Sequence, residues 1–361
     1  MSQPNSQDFA LSCPVPIVEH ATVQLAHGGG GRFMRNLIEG LFRPAFEADG
    51  PRSPAHDSAV VPLHCFPDDG AGGRLAMTTD SFVVRPLFFP GGDIGKLAVY
   101  GTVNDLAMSG ARPLYLSAGF ILEEGLPMDT LRQVVDSMSA ASREVGARII
   151  TGDTKVVDRG KGDGIFINTA GVGLVPPGID IAPQRVVPGD VLLVSGDLGR
   201  HGMAVMSVRE GLGFESELES DCASLAGLVE AMSVLGTDLH CLRDLTRGGL
   251  AAALNEIALD VQVGIELEEA AIPVSEPVAA ACEILGLDPL YVASEGRLVA
   301  FVAPQSAGRV LDILRHHPAA HGPAIIGRVT DVYPGSVEVR SLMGGGRILD
   351  LLSGEQMPRI C

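Results

Sequence analysis

The residue with the clearest chemical potential in this sequence is the last one, Cys361. It ends a short run, residues 357–361 (MPRIC), in which Pro358 removes a backbone donor and prevents a helix from continuing. A chain end is seldom ordered unless other parts of the protein bind it. The pattern predicts a thiol that is presented for reaction rather than buried. Position alone leaves an incidental terminal cysteine equally open.

Aspartates recur where apolar segments end or turns begin. The candidates are Asp57, Asp80, Asp105 and Asp153. Mg²⁺ binds a triphosphate together with one or two carboxylates, so dispersed aspartates in one domain suit a Mg–nucleotide site. No Walker sequence G-x-x-x-x-G-K-S/T is present, which excludes a P-loop. For each aspartate alone a cap or turn role is the better explanation, and the four together favour the metal site.

Two segments carry groups suited to a phosphate. Lys155 follows Asp153 by two residues, which places both on one face of an extended strand. The lysine either holds a phosphate or is solvated, and the spacing does not decide between them. His27 and Gly28 begin a glycine run at a predicted helix start, where backbone N–H groups suit an anion. Such glycine loops are common, so this second signal is weak.

Two charged residues of the second half are further candidates. Arg247 lies in a turn, residues 244–250, that opens onto a helix, and it could contact phosphate while Thr246 or Asp244 caps the helix. Glu295 stands at the entrance of an apolar strand, where a surface role is the default.

Composition restricts the class of protein. Of 361 residues, 46% are hydrophobic and 19% charged, which is typical of a folded globular chain. The net charge of −18 repels phosphate backbones, so no nucleic acid partner is expected. The sequence has no signal peptide, no membrane-spanning apolar run and no C-x-x-C pair. These features predict a cytoplasmic protein without a membrane partner, in which the five cysteines before Cys361 are small core residues.

Hydrophobic periodicity predicts two α+β halves. In the first, helices are expected at 95–108 and 128–145, and strands at 58–63, 75–84, 115–122, 148–150 and 165–174. In the second, helices are expected near 202–211, 221–235, 248–259, 277–285 and 307–316, with strands at 191–195, 261–267 and 297–303. A Pro/Gly-rich stretch, residues 175–190, is the expected linker. The predicted division is a mobile lead (1–20), two domains (21–175 and 176–340) and a flexible tail (341–361) that could reach a site elsewhere on the protein.

Taken together, these segments resemble the HypE family of carbamoyl dehydratases, hydrogenase maturation factors in the aminoimidazole ribonucleotide synthetase (PurM-like) superfamily. The resemblance runs from about residue 21 to the chain end. It rests on residues 79–82 (TDSF), 86–98 (PLFFPGGDIGKLA), 119–127 (GFILEEGLP), 151–157 (TGDTKVV), 244–249 (DLTRGG) and 358–361 (PRIC). The terminal PRIC is the most specific of these.

The resemblance implies a two-domain PurM-like fold, with an N-terminal domain that dimerises through its sheet, a C-terminal α/β domain and a flexible C-terminal tail. It implies that a carbamoyltransferase, HypF, loads a carbamoyl group onto Cys361 as an S-carboxamide. The protein would then use ATP and Mg²⁺ to dehydrate that group to a thiocyanate. The cyano group would pass to iron on the HypC–HypD complex, for the NiFe centre of hydrogenases.

The resemblance also assigns roles to the candidate residues. The catalytic set is Cys361 as acceptor, Lys155 on phosphate or amide, and Glu295 as base. The metal ligands are Asp57, Asp80, Asp105 and Asp153. The nucleotide-contacting residues are Asp57, Asp80, Asn104, Asp105, Thr151, Gly152, Asp153, His27, Gly28 and Arg247.

Two other classes of function stay open from the sequence. One is another ATP-dependent PurM-like enzyme, such as aminoimidazole ribonucleotide synthetase or selenophosphate synthetase. The terminal cysteine argues against the former, and the absence of a glycine-rich context at Cys13 argues against the latter. The other class is a non-catalytic carrier, in which Cys361 only shuttles a group.

Overall fold

The computed structural model describes residues 25–29, 31–42, 56–62, 73–211, 218–341, 343–354 and 356–361. The predicted mobile lead lies outside these ranges, as do Cys13 and Cys65. Within them Cys222, Cys241 and Cys282 are buried and unbridged, as expected for small core residues. Among the described helices, none combines the length and apolarity needed to cross a bilayer.

The helices follow the predicted periodicity with small shifts at their ends. They are α1 (Arg32–Leu37), α2 (Ile94–Met108), α3 (Met128–Val145), α4 (Arg200–Glu210), α5 (Ala226–Met232), α6 (Gly249–Val261), α7 (Glu276–Leu285) and α8 (Ala307–His316). The prediction of a helix over 221–235 was too long. Residues 219–225 form a loop there, because the amide of Leu225 is bonded to the side chain of Asn104 instead of a preceding turn.

A five-stranded sheet organises the N-terminal half. Its strands are β1 (Ala59–Pro62), β2 (Arg74–Phe82), β5 (Arg112–Glu123), β6 (Arg148–Val157) and β7 (Ile165–Val175), in the order β1-β2-β7-β5-β6, while β3 (Phe88–Phe89) and β4 (Gly92–Asp93) form a separate short hairpin. Strand β6 is longer than the predicted 148–150, because it pairs in parallel with β5 along its whole length.

Helix α2 lies at the centre of the molecule. Asp93 caps it by accepting hydrogen bonds from the Gly95 and Lys96 amides at 2.7 and 3.1 Å. The helix packs on β2 and β7 on one side and contacts the C-terminal half on the other. Of its 15 residues, Lys96 and Asp105 are not fully buried. The fold therefore directs Asp105 toward a space between the two halves.

Strand register determines which residues share a face of the N-terminal sheet. Ser117 on β5 lies opposite Ala170 on β7 and Thr151 on β6, so all three point to the same side. Asp80 on β2 lies opposite Thr169, which directly precedes Ala170 on β7. Because neighbouring residues of a strand point to opposite sides, Asp80 points to the other face of the sheet, where α2 packs.

The face that carries Thr151 is not covered by any described element. Large apolar side chains exposed on it include Met77 by 52%, Tyr115 by 43% and Ile121 by 45%. An uncovered apolar sheet face of this kind marks an interaction surface.

A seven-stranded sheet organises the C-terminal half. Its strands are β8 (Val191–Val194), β9 (Leu239–Asp244), β10 (Gly264–Glu268), β11 (Leu298–Val302), β12 (Ala324–Thr330), β13 (Val337–Arg340) and β14 (Gly346–Ile348), in the order β14-β13-β10-β12-β8-β11-β9. Strand β11 is buried at every residue, which explains its continuous apolar sequence.

The described residues of the predicted flexible tail, 341, 343–354 and 356–361, are packed along the protein in this structure. Strand β14 pairs with β13, and Leu349 and Leu351 beyond it are buried. Met357 and Ile360 join a hydrophobic core cluster that also contains residues of α2 and α4. The tail thus carries Cys361 back to the junction of the two halves.

Candidate active site

Three carboxylates from distant parts of the sequence converge beside α2. Asp57 precedes β1, Asp105 lies on α2 and Asp244 ends β9, and each offers an oxygen within 4.8 Å of the others. Thr78 Oγ1 donates to Asp105 Oδ2 at 2.7 Å. Arg243 Nε lies 2.8 Å from Asp57 Oδ1. Asp57 Oδ2 is buried and has no hydrogen-bond partner among the described residues.

The electrostatics of this acidic cluster, Asp57, Asp105 and Asp244, favour a bound cation. Burial raises the pKa of Asp105 well above its ordinary value, and the neighbouring Asp244, Asp80 and Asp57 raise it further. Burial likewise raises the pKa of Asp244, followed by the charge of Asp57. Buried carboxylates this close repel one another unless protons or a cation separate them. A hard divalent ion such as Mg²⁺ fits this all-oxygen donor set.

Asp80 connects the acidic cluster to an arginine. Arg247 Nη2 lies 3.5 Å from Asp80 Oδ1, and Arg247 Nη1 donates to the carbonyl of Gly28 at 3.0 Å. Burial raises the pKa of Asp80, while the Arg247 guanidinium lowers it. Arg247 is therefore a cation at the edge of the acidic site, placed by the turn before α6.

Cys361 lies close to Glu295 and to the same arginine. Burial raises the pKa of the Cys361 thiol well above its ordinary value, and Glu295 raises it further by its charge and by hydrogen bonding. Burial also raises the pKa of Glu295, with further contributions from Asp244 and Asp80. The docked thiol is therefore protonated at neutral pH and faces a carboxyl group that binds protons readily.

A buried ionic network holds the Glu295 loop in place. Asp221 Oδ1 accepts a hydrogen bond from the Glu295 amide at 3.2 Å. Arg297 lies between Asp221, at 3.7 Å, and Asp197, at 3.1 Å. Because these groups are almost completely buried, the network fixes the main chain on which Glu295 stands.

A cavity of about 460 Å³ opens beside the thiol. Its lining includes Cys361, Arg247, Ser81, Gly28 and Tyr291. It therefore joins the tail, the arginine and the N-terminal glycine segment. Its size and mixed charge suit a small polar ligand next to the sulfur.

The structure brings most of the predicted residues together. Cys361, Glu295, Arg247, Asp80 and Gly28 surround this cavity or contact its lining, and Asp57 and Asp105 lie in the adjoining acidic cluster. The glycine segment also serves packing. The Arg32 amide at the start of α1 donates to Leu352 O at 2.8 Å, and a Cβ at Gly31 would lie 2.5 Å from the same oxygen. The His27 ring packs edge-on against Phe33, with ring centroids 5.6 Å apart.

Four predicted residues lie apart from this site within one chain. Thr151, Gly152, Asp153 and Lys155 belong to the edge strand β6, where all four are exposed. Lys155 Nζ lies 3.7 Å from Asp153 Oδ2, so the predicted common face exists. That face is the uncovered one, opposite to the face that carries Asp80. A single chain does not join these residues to the acidic cluster.

Asn104, predicted as a nucleotide contact, makes hydrogen bonds within the protein. Its Nδ2 donates to the carbonyls of Ala223 and Glu295 at 3.0 and 3.2 Å, and its Oδ1 accepts from the Leu225 amide at 2.7 Å. The amide side chain thereby ties α2 to the Glu295 loop.

Two functional candidates were not predicted. Asp244 was interpreted as a helix cap, yet it completes the acidic cluster. Asp221 supports Glu295 from a loop without a recognisable motif. For Asp244 a signal existed, because it begins the segment 244–249 that carries the resemblance.

Comparisons with known proteins identify the family of this chain. The AIR synthase related N-terminal domain matches residues 55–175, and the corresponding C-terminal domain matches residues 187–340. The chain is an AIR synthase related protein. Within that superfamily it belongs to the HypE family of carbamoyl dehydratases, which confirms the predicted resemblance and the two-domain PurM-like fold.

Relatives match over nearly their whole length. The carbamoyl dehydratase HypE of Rhizobium leguminosarum bv. viciae is 54% identical, with 95% of this chain and 96% of the relative covered. The HypE of Escherichia coli (strain K12) is 50% identical over 94% of this chain and 99% of the relative.

Solved structures of related proteins have the same fold as this chain. A HypE–HypF complex has a TM-score of 0.80 at 45% identity, covering 88% of this chain and 99% of the solved one. A HypE in complex with ATP has a TM-score of 0.77 at 46% identity, covering 94% and 100%.

Proposed function

We propose that this protein uses ATP to dehydrate a carboxamide carried on the sulfur of its own Cys361, giving a thiocyanate that supplies cyanide ligands for the iron of NiFe hydrogenases. The observation that carries the proposal is the position of Cys361. It lies against Glu295 and close to Arg247, which pairs with Asp80 beside the acidic cluster. The relatives named carbamoyl dehydratase and the ATP complex of a relative support it.

The reaction replaces a poor leaving group by a good one. The carboxamide oxygen takes a phosphoryl group from ATP, ADP departs, and the nitrogen loses one proton. The carbon–oxygen bond then breaks, phosphate leaves with both bonding electrons, and the second N–H proton is removed. The product carries S–C≡N on Cys361. The carboxamide oxygen leaves as part of phosphate and not as water. Dehydration in aqueous solution is thereby coupled to the cleavage of ATP.

The acidic cluster is the proposed metal site. Asp57, Asp105 and Asp244 would hold Mg²⁺, with Asp80 beside them. Bound Mg²⁺ would neutralise phosphate charge and orient the triphosphate. Arg247 is placed to bind a phosphate oxygen, because its guanidinium lies between Asp80 and the cavity.

Glu295 is the proposed base for the two protons on nitrogen. Its carboxyl group adjoins the sulfur that bears the carboxamide, and its raised pKa makes it a better proton acceptor than an ordinary carboxylate. Its Oε1 atom has no hydrogen-bond partner among the described residues, so it is available to the substrate.

Loading and release require the tail to leave this site. The docked thiol is neutral and partly buried, and a thiol is a weak nucleophile compared with a thiolate. We infer that a HypF-type carbamoyltransferase loads the tail in an undocked state, and that a HypC–HypD-type complex receives the cyano group in the same state.

A second copy of the chain is the proposed cover for the exposed face of the N-terminal sheet. That face carries Met77, Tyr115 and Ile121 as well as Asp153 and Lys155. A homodimer formed through it would bury the apolar side chains. It would also give Asp153 and Lys155 a partner surface, which the single chain does not offer.

The test is intact mass and peptide mass of the protein after incubation with a carbamoyltransferase and carbamoyl phosphate, before and after Mg–ATP. The wild-type C-terminal peptide should gain one carbamoyl group and then lose one water. Glu295→Gln should load but lose at least about 100-fold in dehydration rate, since general base catalysis contributes 10²–10⁴.

Glu283→Gln is the matched control, because Glu283 is exposed on α7. If Glu295→Gln dehydrated at the control rate, the assigned base would be wrong. A carbamoyl group that persisted on the wild type with Mg–ATP would leave only a carrier function.

A further inference from the structure

The last four residues are held by their main chain. The Pro358 and Arg359 carbonyls accept hydrogen bonds from Arg209 at 2.6 and 2.5 Å. The Ile360 carbonyl accepts a hydrogen bond from His201 at 2.5 Å, and an oxygen of the Cys361 terminal carboxylate accepts from the Val83 amide at 3.0 Å. The Arg85 amide adds a second bond to the Arg359 carbonyl at 3.1 Å. The three peptide carbonyls and the terminal carboxylate of residues 358–361 therefore each have a donor in the body of the protein.

Arg209 is directed to carbonyls rather than to an acid. On its other side the guanidinium donates twice to the Arg85 carbonyl, at 2.7 and 3.1 Å. Among the described residues it makes no ion pair within 4 Å. One arginine thus bridges the tail and residue 85, which flanks the Val83 amide that binds Cys361. A planar guanidinium can make these parallel contacts, whereas a lysine ammonium cannot reproduce the fork.

The bonding partners of His201 define its tautomer. The Ile360 carbonyl can only accept, so His201 Nε2 carries the proton. His201 Nδ1 then accepts from Ser220 Oγ at 2.8 Å. The ring is completely buried and stacks edge-on against Phe89, with centroids 5.3 Å apart. The imidazole is therefore rigidly oriented toward a single atom of the tail.

Side chains of the tail contribute less to its register. Ile360 and Met357 are buried, which anchors the segment. The Arg359 side chain points outward and pairs with Asp163 at 3.0 Å, where it is 45% exposed. Such an exposed ion pair contributes little. Burial of Met357 and Ile360 holds the tail against the protein. The hydrogen bonds to its main-chain oxygens determine which residue lies next to Glu295.

We propose that Arg209 and His201 are positioning residues that set the register of the tail, so that the residue in position 361 is the one presented to Glu295. They act through the main chain and do not touch the reacting sulfur. The proposal uses the proposed function only in taking the Cys361 sulfur as the acceptor, since the docking itself requires neither ATP nor a carbamoyl group.

The test is the rate at which iodoacetamide alkylates Cys361 in the full-length protein, at fixed pH and without nucleotide, followed by mass of the C-terminal peptide. Docking protects the thiol, so Arg209→Ala should raise this rate at least tenfold. Arg209→Lys should give an intermediate rate. His201→Gln, whose amide can still donate to Ile360 O, should be less reactive than His201→Ala.

Two controls separate register from unfolding. Arg132→Ala removes an arginine of α3 whose side chain is 71% exposed and makes no bond to the tail, and its rate of Cys361 alkylation should match the wild type. Cys222, Cys241 and Cys282 are buried and report the integrity of the fold in the same digest. Their protection should be unchanged in Arg209→Lys and His201→Gln, which identifies these variants as folded.

Alkylation of Cys361 at the wild-type rate in folded Arg209→Lys, Arg209→Ala and His201→Ala would overturn the proposal. Failure of the dehydratase activity would not affect this outcome, because thiol protection is measured without any reaction at the site. If activity is present, the same variants should load at the wild-type rate and dehydrate more slowly.

Discussion

At the scale of single residues, the site is an accumulation of buried acids with few compensating charges. Asp105 shows this most clearly, because burial and three neighbouring aspartates all raise its pKa. A carboxyl whose pKa is raised on folding contributes stability below its ordinary value, near 4, and that contribution is lost as the pH rises through the raised value. At neutral pH the metal-free acidic cluster therefore destabilises the protein.

Asp105→Asn should accordingly stabilise the protein in EDTA at pH 7. We expect a gain of about 1 to 2 kcal/mol, or about 2 to 6 °C in Tm, because one repelling charge is removed while the Asn oxygen can still accept from Thr78. Mg–ATP should raise the Tm of the wild type and leave the variant unchanged. Calorimetry with and without EDTA measures both effects.

The control is Asp129→Asn, whose carboxylate is 95% exposed on α3. It should leave both melting temperatures as in the wild type. A lower Tm for Asp105→Asn in EDTA, together with a normal response to Mg–ATP, would contradict the assignment of Asp105 to the metal site.

Functional residues could be predicted from the sequence where a local pattern marked them. Cys361 stood out by position, Asp80 by its place in an apolar segment that ends nearby, and Asp105 as a further aspartate of the same half. Asn104 was assigned with its neighbour Asp105, yet successive helix residues point about 100° apart, so one faces the cluster and the other the Glu295 loop. His201 and Arg209 contact residues about 150 positions away in the sequence. A local sequence pattern cannot predict contacts of this kind.

At the scale of elements, the tail behaves as an added edge segment rather than as free coil. The residues Val84 and Ile360 form an isolated antiparallel bridge, which places the end of the chain beside β2. The glycines at 344–346 predicted only a flexible connection. Strand β14 forms there because β13 offers an open edge, which is a tertiary effect.

The end of this segment should tolerate no extension. Adding one alanine after Cys361 converts the carboxylate that accepts from the Val83 amide into an uncharged peptide carbonyl, which weakens that bond, and it adds a residue with a new carboxylate beside the cavity lined by Arg247. We expect normal carbamoyl loading and at least a tenfold slower dehydration, measured by peptide mass over time.

Adding one alanine before Met1 is the control for chain length, and it should change neither rate. Dehydration at the wild-type rate in the C-terminally extended protein would show that the reaction does not require the thiol at the chain end.

At the scale of the whole molecule, the two halves form one site between them. Asp105 comes from the first half, Asp244 and Glu295 from the second, and Cys361 from the tail. The two α+β halves were predictable from periodicity and the Pro/Gly-rich linker. Their mutual placement was not, because it depends on packing between residues far apart in sequence, such as Asn104 with Ala223.

The uncovered face of the N-terminal sheet predicts the oligomeric state. Ile121→Glu puts a charge on the exposed apolar face, where Ile121 is 45% exposed in the single chain. We expect the variant to be a folded monomer and the wild type a dimer, as measured by light scattering after size exclusion.

Ile284→Glu is the matched control, because Ile284 is 65% exposed on α7, away from that face. It should remain dimeric. A dimeric Ile121→Glu variant, or a monomeric wild type, would contradict the proposed interface.

The attachment of the acceptor to the enzyme has a kinetic consequence. Cys361 belongs to the same chain as Glu295, so its local concentration is set by the length of the tail and not by how much protein is present. A Michaelis constant for the carboxamide cannot be defined for such a protein, because the substrate is part of the chain. Each chain performs one conversion per loading. The conversion rate of loaded chains should then be independent of dilution above the concentration at which the proposed dimer dissociates. A fall in the rate at that concentration would indicate that the second copy contributes to the site.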